Sequence, residues 1–245
     1  MATYNGERYI KDQLNSILIQ LCSKDEVIIV DDVSRDRTVE IINNFCDPRI
    51  HIIRNDSNRG VLATFERAIR SASGEIIFLS DQDDLWAPNK VSKFLNAFDS
   101  HPEATVVVSD AELINEHGER IVIPDFPPRT FRPGLLANLY HSRYGGCRMA
   151  FRSSLLSKIL PFPRDLDVLH DIWIGTVNSV LGGVTWYIDE PLTFYRRHGG
   201  NATSVVRLSR RRQVRLRLHL LWALMRLCFR RLRADVKDKS TFEGY

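Results

Sequence analysis

A chain of 245 residues, 44% hydrophobic and 26% charged, has the apolar content of one folded domain with an appendage; this excludes a fibrous or disordered protein. The net charge of +4 hides an asymmetry: 205–245 hold 12 basic and 3 acidic residues against 22 and 27 in 1–204, so an acidic body carries a basic tail. Cys22, Cys46, Cys147 and Cys228 form no C-x-x-C pair, no signal-peptide pattern is visible, and no apolar run approaches the ~20 residues of a membrane span; a cytoplasmic protein with reduced thiols is expected.

Ile10, Leu14, Ile17 and Leu18 share one face of a helix expected over 7–20. "EVIIV", 26–30, is a β-branched run and reads as a buried strand. The loop "DDVSRDRT" follows, and Ser34 or Asp36 is placed to cap a helix over 37–45. "RIHII" is a second strand, 61–72 a helix and "IIFLS" a third strand. Further on, 89–100 is helical, "TVVVS" a strand, 110–133 loop-rich with four prolines, "CRMAF" a strand and 170–181 a helix. "VTWYI" and "LTFYR" read as two short strands. Alternation of continuous apolar strands with helices predicts an α/β fold with a parallel sheet, whose ligands sit beyond the carboxyl ends of the strands. Asp31-Asp32 and the cluster Asp81, Asp83, Asp84 in "FLSDQDDLW" both fall there.

Three carboxylates within four positions repel unless a cation or solvent screens them, and oxygen-only clusters suit Mg²⁺ or Mn²⁺ beside a substrate phosphate. A helix cap needs only one of them.

Six stretches in order, "MATYNGERYI", "VIIVDDVSRDRT", "NRGVLATFERAI", "SGEIIFLSDQDDLWAPNK", "HDIWIG" and "DEPLTFYRRHGGN", resemble family-2 glycosyltransferases of GT-A fold, most of all the rhamnosyltransferase-like subset that builds bacterial surface polysaccharide. The resemblance spans about 1–203. It implies a GT-A type, mostly parallel mixed sheet flanked by helices, and a nucleotide-diphosphate-sugar donor. It implies inverting transfer to a hydroxyl of a glycan or lipid-linked acceptor. It places Thr3, Tyr4 and Asn5 at the nucleotide, with Tyr4 against the base and Asp32 accepting from it. Asp81 faces the ribose, Asp83 binds the Mg²⁺ or Mn²⁺ ion of the D-x-D motif, Asp171 is the general base, and His198 approaches the metal or diphosphate. The same chemistry asks for those types: the leaving diphosphate needs positive charge, and the attacking hydroxyl needs a base on the other face. Simpler roles exist for three of them: Asp171 as an N-cap of 172–181, His198 closing a turn with Gly199 and Gly200, and Tyr4 as core packing. Trp86 and Trp173 read as core or as an acceptor-groove wall.

The family's usual strand ahead of A-T-Y-N-G is expected to be missing, leaving a catalytically impaired, truncated homologue as the alternative. A receiver-type signalling domain is disfavoured because it needs one phosphoacceptor Asp rather than D-Q-D-D. A sugar nucleotidyltransferase would need a Gly-rich phosphate loop. The division expected is a catalytic domain over 1–204 and a basic amphipathic helical tail over 205–245. In the tail Arg212, Arg215, His219, Arg226, Arg230 and Arg233 share a narrow face, and leucines cover the remainder. Arg217 and Arg231 fall on the apolar side. This suits peripheral contact with the anionic inner face of the plasma membrane rather than nucleic acid.

Overall fold

The computed structural model describes residues 1–122, 144–163, 170–199, 214 and 217–226. The chain divides into two compact units, 1–162 with 170–203 and 163–169 with 204–245. The first unit opens with β1 (Ala2–Thr3), α1 (Ile10–Leu18), β2 (Val27–Asp31), α2 (Thr38–Asn43), β3 (Ile50–Arg54) and α3 (Gly60–Ser71). The three strands pair in parallel in the order β1-β2-β3. Then come β4 (Ile76–Phe78), β5 (Leu85–Trp86), α4 (Lys90–Ser100), β6 (Ala104–Ile114), β7 (Met149–Arg152), α5 (Leu156–Ile159), α6 (His170–Val180) and β8 (Val184–Arg196). Their sheet runs β4-β7-β6-β8-β5, parallel between β6 and β8 and antiparallel elsewhere.

The periodic segments fold as their patterns require. α1 buries Ile10, Leu14, Ile17 and Leu18 against Val27 and Ile29 of β2. A second cluster gathers Phe94, Phe98, Val107, Ala150 and Leu192. Phe78 packs on both and joins them. Trp86 and Trp173 are buried and belong to the core. The N-cap position of α2 is Arg37 rather than Ser34 or Asp36: Asp36 Oδ1 accepts from Thr38 N at 3.0 Å in the turn ahead of the helix, and Ser34 turns its hydroxyl to Asp31.

Two readings change. Ala2 and Thr3, inside A-T-Y-N-G itself, form the two-residue β1, in register with Val30 and Asp31 of β2, a strand that the apolar periodicity did not mark. The first sheet is parallel and the second mixed, as the resemblance implies, with β7 antiparallel between β4 and β6 and β5 antiparallel to β8. The two short strands at 184–196 are one long β8; Pro191, which has no N–H to give, sits opposite a register shift at Asp110. That pairing also turns 110–114 into strand; of the loop-rich span, 123–133 lie outside the described residues.

In the second unit, 217–226 are helical. Val214, Leu218, Leu221, Trp222 and Met225 are exposed, and Leu220, Ala223 and Leu224 buried. The rest of the expected tail helix, with Arg212, Arg215, Arg230, Arg231 and Arg233, lies outside the described residues. Among the described residues no helix is long and apolar enough to cross a membrane.

Asp32 ties the loop after β2 to α3. Its Oδ1 accepts from Asn55 Nδ2 and Arg59 N, both at 2.8 Å, and its Oδ2 from Gly60 N at 2.9 Å. The carboxylate thus caps the positive end of α3 from outside the helix. Asp32→Ala is expected to lower the unfolding free energy of the ligand-free protein by about 1–3 kcal/mol, through three donors left without their acceptor. Urea denaturation measures it, and unchanged stability would show that the cap carries no weight.

Candidate active site

Loops after β1, β2 and β4 meet at one rim. Thr3 is buried and donates through Oγ1 to Asp31 Oδ1 at 3.2 Å, so it supports the rim from below. Asn5 turns the chain at φ 48°, a left-handed conformation that asparagine tolerates. Its N–H donates to Ser34 Oγ and its Oδ1 accepts from Arg35 N, both at 2.9 Å. Gln82, the residue between the first two aspartates of D-Q-D-D, grips the Tyr4 backbone: Tyr4 N donates to its Oε1 at 2.9 Å and its Nε2 donates to Tyr4 O at 3.0 Å. Tyr4 itself is 45% exposed, which removes the core-packing reading and leaves its ring free to cover a flat ligand. Asp32, engaged by three donors, has one of about four lone-pair positions left.

The D-Q-D-D loop is held from two sides. Gln13, fully buried on the apolar face of α1, donates Nε2 to Ser80 Oγ at 2.8 Å and Asp81 O at 3.0 Å. Arg196, at the end of β8, donates Nε to Asp83 O at 2.8 Å, and its backbone N–H gives Asp84 Oδ1 a partner at 2.9 Å. Asp83 Oδ2 and His198 Nε2 are 2.8 Å apart, and the imidazole lies against the Tyr9 ring at 4.8 Å. His198 is therefore more than a turn residue.

Asp171 stands in the first turn of α6 rather than ahead of it, so it is not the N-cap. Its Oδ2 accepts from Gly146 N at 2.8 Å and its Oδ1 from Ile172 N at 2.7 Å. Gly146 belongs to a short 3₁₀ turn, Gly146–Arg148, that leads into β7. A Cβ there would lie 2.8 Å from His170 Nε2, so the close approach needs glycine. His170 is buried flat on Phe65 at 3.7 Å between ring centroids, and burial holds its pKa down to about 3, so it is neutral.

Electrostatics bind these pieces into one site. Burial, then Asp84, Asp83 and Asp171, raise the Asp81 carboxyl well above its usual range. Burial, then Asp83, raise Asp84 to about 7. Burial raises Asp171 to about 6, against the pull of its two backbone donors and Arg148. Asp84 Oδ2 is buried without a hydrogen-bond partner. A carboxylate cluster with an orphan oxygen fits a divalent cation. Ligand atoms of Asp81, Asp84 and Cys147 lie within 4.8 Å of one another. Burial and both carboxylates hold the Cys147 thiol well above its ordinary pKa, and a protonated thiol does not ligate a hard cation. The fit therefore rests on the carboxylates and His198.

Sequence reasoning named the acidic residues and missed Gln13, Gln82, Lys90 and Arg196. Gln13 was visible as a polar residue on an otherwise apolar helix face. The other three lie inside the quoted motifs, but nothing in the spacing shows that they bind backbone groups far along the chain.

The profile of glycosyl transferase family 2 matches residues 1–157. An uncharacterized protein of Mycobacterium tuberculosis is 31% identical over 203 residues, covering 80% of this chain and 57% of its own length. Staphylococcus aureus TarS 1–349 in complex with UDP-GlcNAc superposes with a TM-score of 0.68 at 22% identity, over 85% of this chain and 60% of that one. The mannosyltransferase PcManGT from Pyrobaculum calidifontis in complex with GDP-Man and Mn²⁺ gives 0.62 at 21% identity, over 82% and 56%. The chain thus spans less than two thirds of the length of each of these three proteins. With the GT-A arrangement of its strands and a family profile matched over 1–157, the chain belongs to glycosyl transferase family 2.

Proposed function

We propose that the protein transfers a sugar from a nucleotide-diphosphate donor to a hydroxyl of a glycan or lipid-linked acceptor, with inversion. The observation that supports this is the pairing of two separate functions across one site. The D-Q-D-D carboxylates stand on the sheet rim, and Asp171, held by Gly146 N–H, is close enough to raise the Asp81 pKa. Tyr4 covers the base, with the loop Thr3–Asn5 held in place by Gln82, Ser34 and Asp31. Asp83 and His198, with Asp81 beside them, would hold a Mg²⁺ or Mn²⁺ ion, which supplies charge neutralisation for the departing diphosphate when bound. Asp171 takes the proton of the acceptor hydroxyl, and it does so only when ionised.

Donor binding is expected to need the cation. Calorimetry with UDP or GDP in Mn²⁺ and in excess chelator measures it, and Asp83→Asn should weaken metal-dependent binding on the order of 10-fold or more. Equal affinity in chelator would refute the metal reading. Asp171→Asn should lower turnover about 10²–10⁴-fold and leave nucleotide affinity unchanged. Because burial raises this carboxyl to about 6, wild-type kcat should be lost as pH falls through about 6 and level off above it. A pH-independent kcat across this range would remove Asp171 from the role of base.

The tail supports a membrane-surface role in the same reading. At 100° per residue, exposed Leu218, Leu221, Trp222 and Met225 form a stripe about 100° wide. Arg217 and Arg226 border it on opposite sides, and the Arg226 guanidinium lies 3.5 Å from the Trp222 ring centroid. An apolar stripe edged by arginine and carrying tryptophan fits the interface of an anionic leaflet and would bring the site to a lipid-linked acceptor. The full chain should sediment with anionic vesicles at low salt and less with neutral ones, and Leu218→Glu with Trp222→Glu should abolish this. If the full chain stays in the supernatant, the stripe serves a protein partner instead.

A further inference from the structure

Lys90 is fully buried at the first turn of α4. A buried ammonium persists only where hydrogen bonds and charge compensate its lost hydration. Here Nζ donates to the Cys147 carbonyl at 2.6 Å and to Thr193 Oγ1 at 2.9 Å, and it stands 4.3 Å from the Trp86 ring centroid. Thr193 Oγ1 in turn donates to the Cys147 carbonyl at 2.9 Å. Among the described residues no carboxylate reaches salt-bridge distance of Nζ; Asp84 and Asp81 attract it across a longer gap. Burial lowers its pKa to about 8, which keeps it charged at neutral pH.

The position of this cation links both halves of the site. It lies behind the D-Q-D-D loop, where Asp84 Oδ2 has no hydrogen-bond partner. The carbonyl it holds belongs to Cys147, in the turn whose Gly146 N–H holds Asp171 Oδ2 at 2.8 Å. An apolar side chain of equal length would fill the same space. Only lysine adds a fixed charge and several N–H donors there.

We propose that Lys90 is a positioning residue for glycosyl transfer: it pins the Gly146–Arg148 turn to β8 and α4, and through that turn it orients the carboxylate of Asp171. This rests on reading Asp171 as the base, but the coupling itself is measurable without turnover. Asp171 faces Asp81 from the D-Q-D-D loop and Arg148 from the turn, beside the neutral His170. A turn released from Lys90 gives Asp171 a weaker donor at Gly146, and a carboxylate that loses a donor binds its proton more tightly.

The experiment is a carbon-13 NMR titration of labelled aspartate carboxyls, with Asp171 assigned from Asp171→Asn, in wild type, Lys90→Met and Thr193→Val. The Asp171 midpoint should rise by at least about half a pH unit in Lys90→Met and by less in Thr193→Val, which keeps the charge and loses only the bridging hydroxyl. With an active donor and acceptor pair, kcat should fall while the donor KM holds. An unchanged midpoint in both variants overturns the proposal. If Lys90→Met does not fold, Thr193→Val decides alone: a raised midpoint supports the coupling and an unmoved one ends it. Full activity in Asp171→Asn would instead refute the base, and would leave the Lys90–Asp171 coupling to be judged by the titration.

Discussion

Asp84 and Asp171 are carboxylates buried from water, and both act on the half-buried Asp81; much of the surrounding structure answers to that constraint. Burial favours the neutral acid, and each unit by which a carboxyl is raised costs about 1.4 kcal/mol of folding free energy once it ionises. The sign is the reverse of an ordinary salt bridge. Asp84 and Asp171 have folded pKa values of about 7 and 6, above the unfolded value of 3.8. Their stabilising share is fully present below that unfolded value and is lost as pH rises through the folded ones. The site is least strained in acid, where the Asp171 carboxyl is protonated. It carries its electrostatic cost at neutral pH, where that carboxyl is ionised. A bound cation would relieve the repulsion, which ties the stability of the rim to its occupancy.

The fold meets this load with backbone and side-chain donors brought from distant parts of the chain. Arg196 N–H serves Asp84, Gly146 N–H serves Asp171, and Arg196 Nε holds the loop at Asp83 O. The mixed second sheet makes this reach possible. β7 runs antiparallel between β4 and β6, so the turn at its start lies at the rim where β4 ends. β8 runs parallel to β6 and delivers Arg196 and His198 to the same rim. An all-parallel sheet continued from the first three strands would not have brought the turn before β7 to that edge.

Gln13 and Gln82 show a second device, uncharged and local to the loops. Each side-chain amide substitutes for a missing strand neighbour by bonding backbone groups, one beneath Asp81 and one around Tyr4. Loops tied this way keep their shape without a ligand, which lowers the ordering cost of binding one. Asp32 does the same for the junction of β2 and α3, and the residue that the resemblance assigns to the nucleotide base is also a structural cap.

The order of residues alone set the helices α1, α3, α4 and α6, the buried strand β2, the first half of β6 and the acidic residues at the rim, because periodicity and carboxylate density are local properties of the chain. It also determined the asymmetry between an acidic body and a basic tail. It did not determine the direction of β7, the fusion of two short strands into β8, or the small strand β1, since strand pairing depends on partners far along the chain. Nor did it show that Lys90 would be buried, that Gln82 would hold Tyr4, or that Arg196 would hold the loop at Asp83 O. Those contacts exist only once the sheet has closed and removed the carboxylates from water, when each polar group must find a partner within about 3 Å.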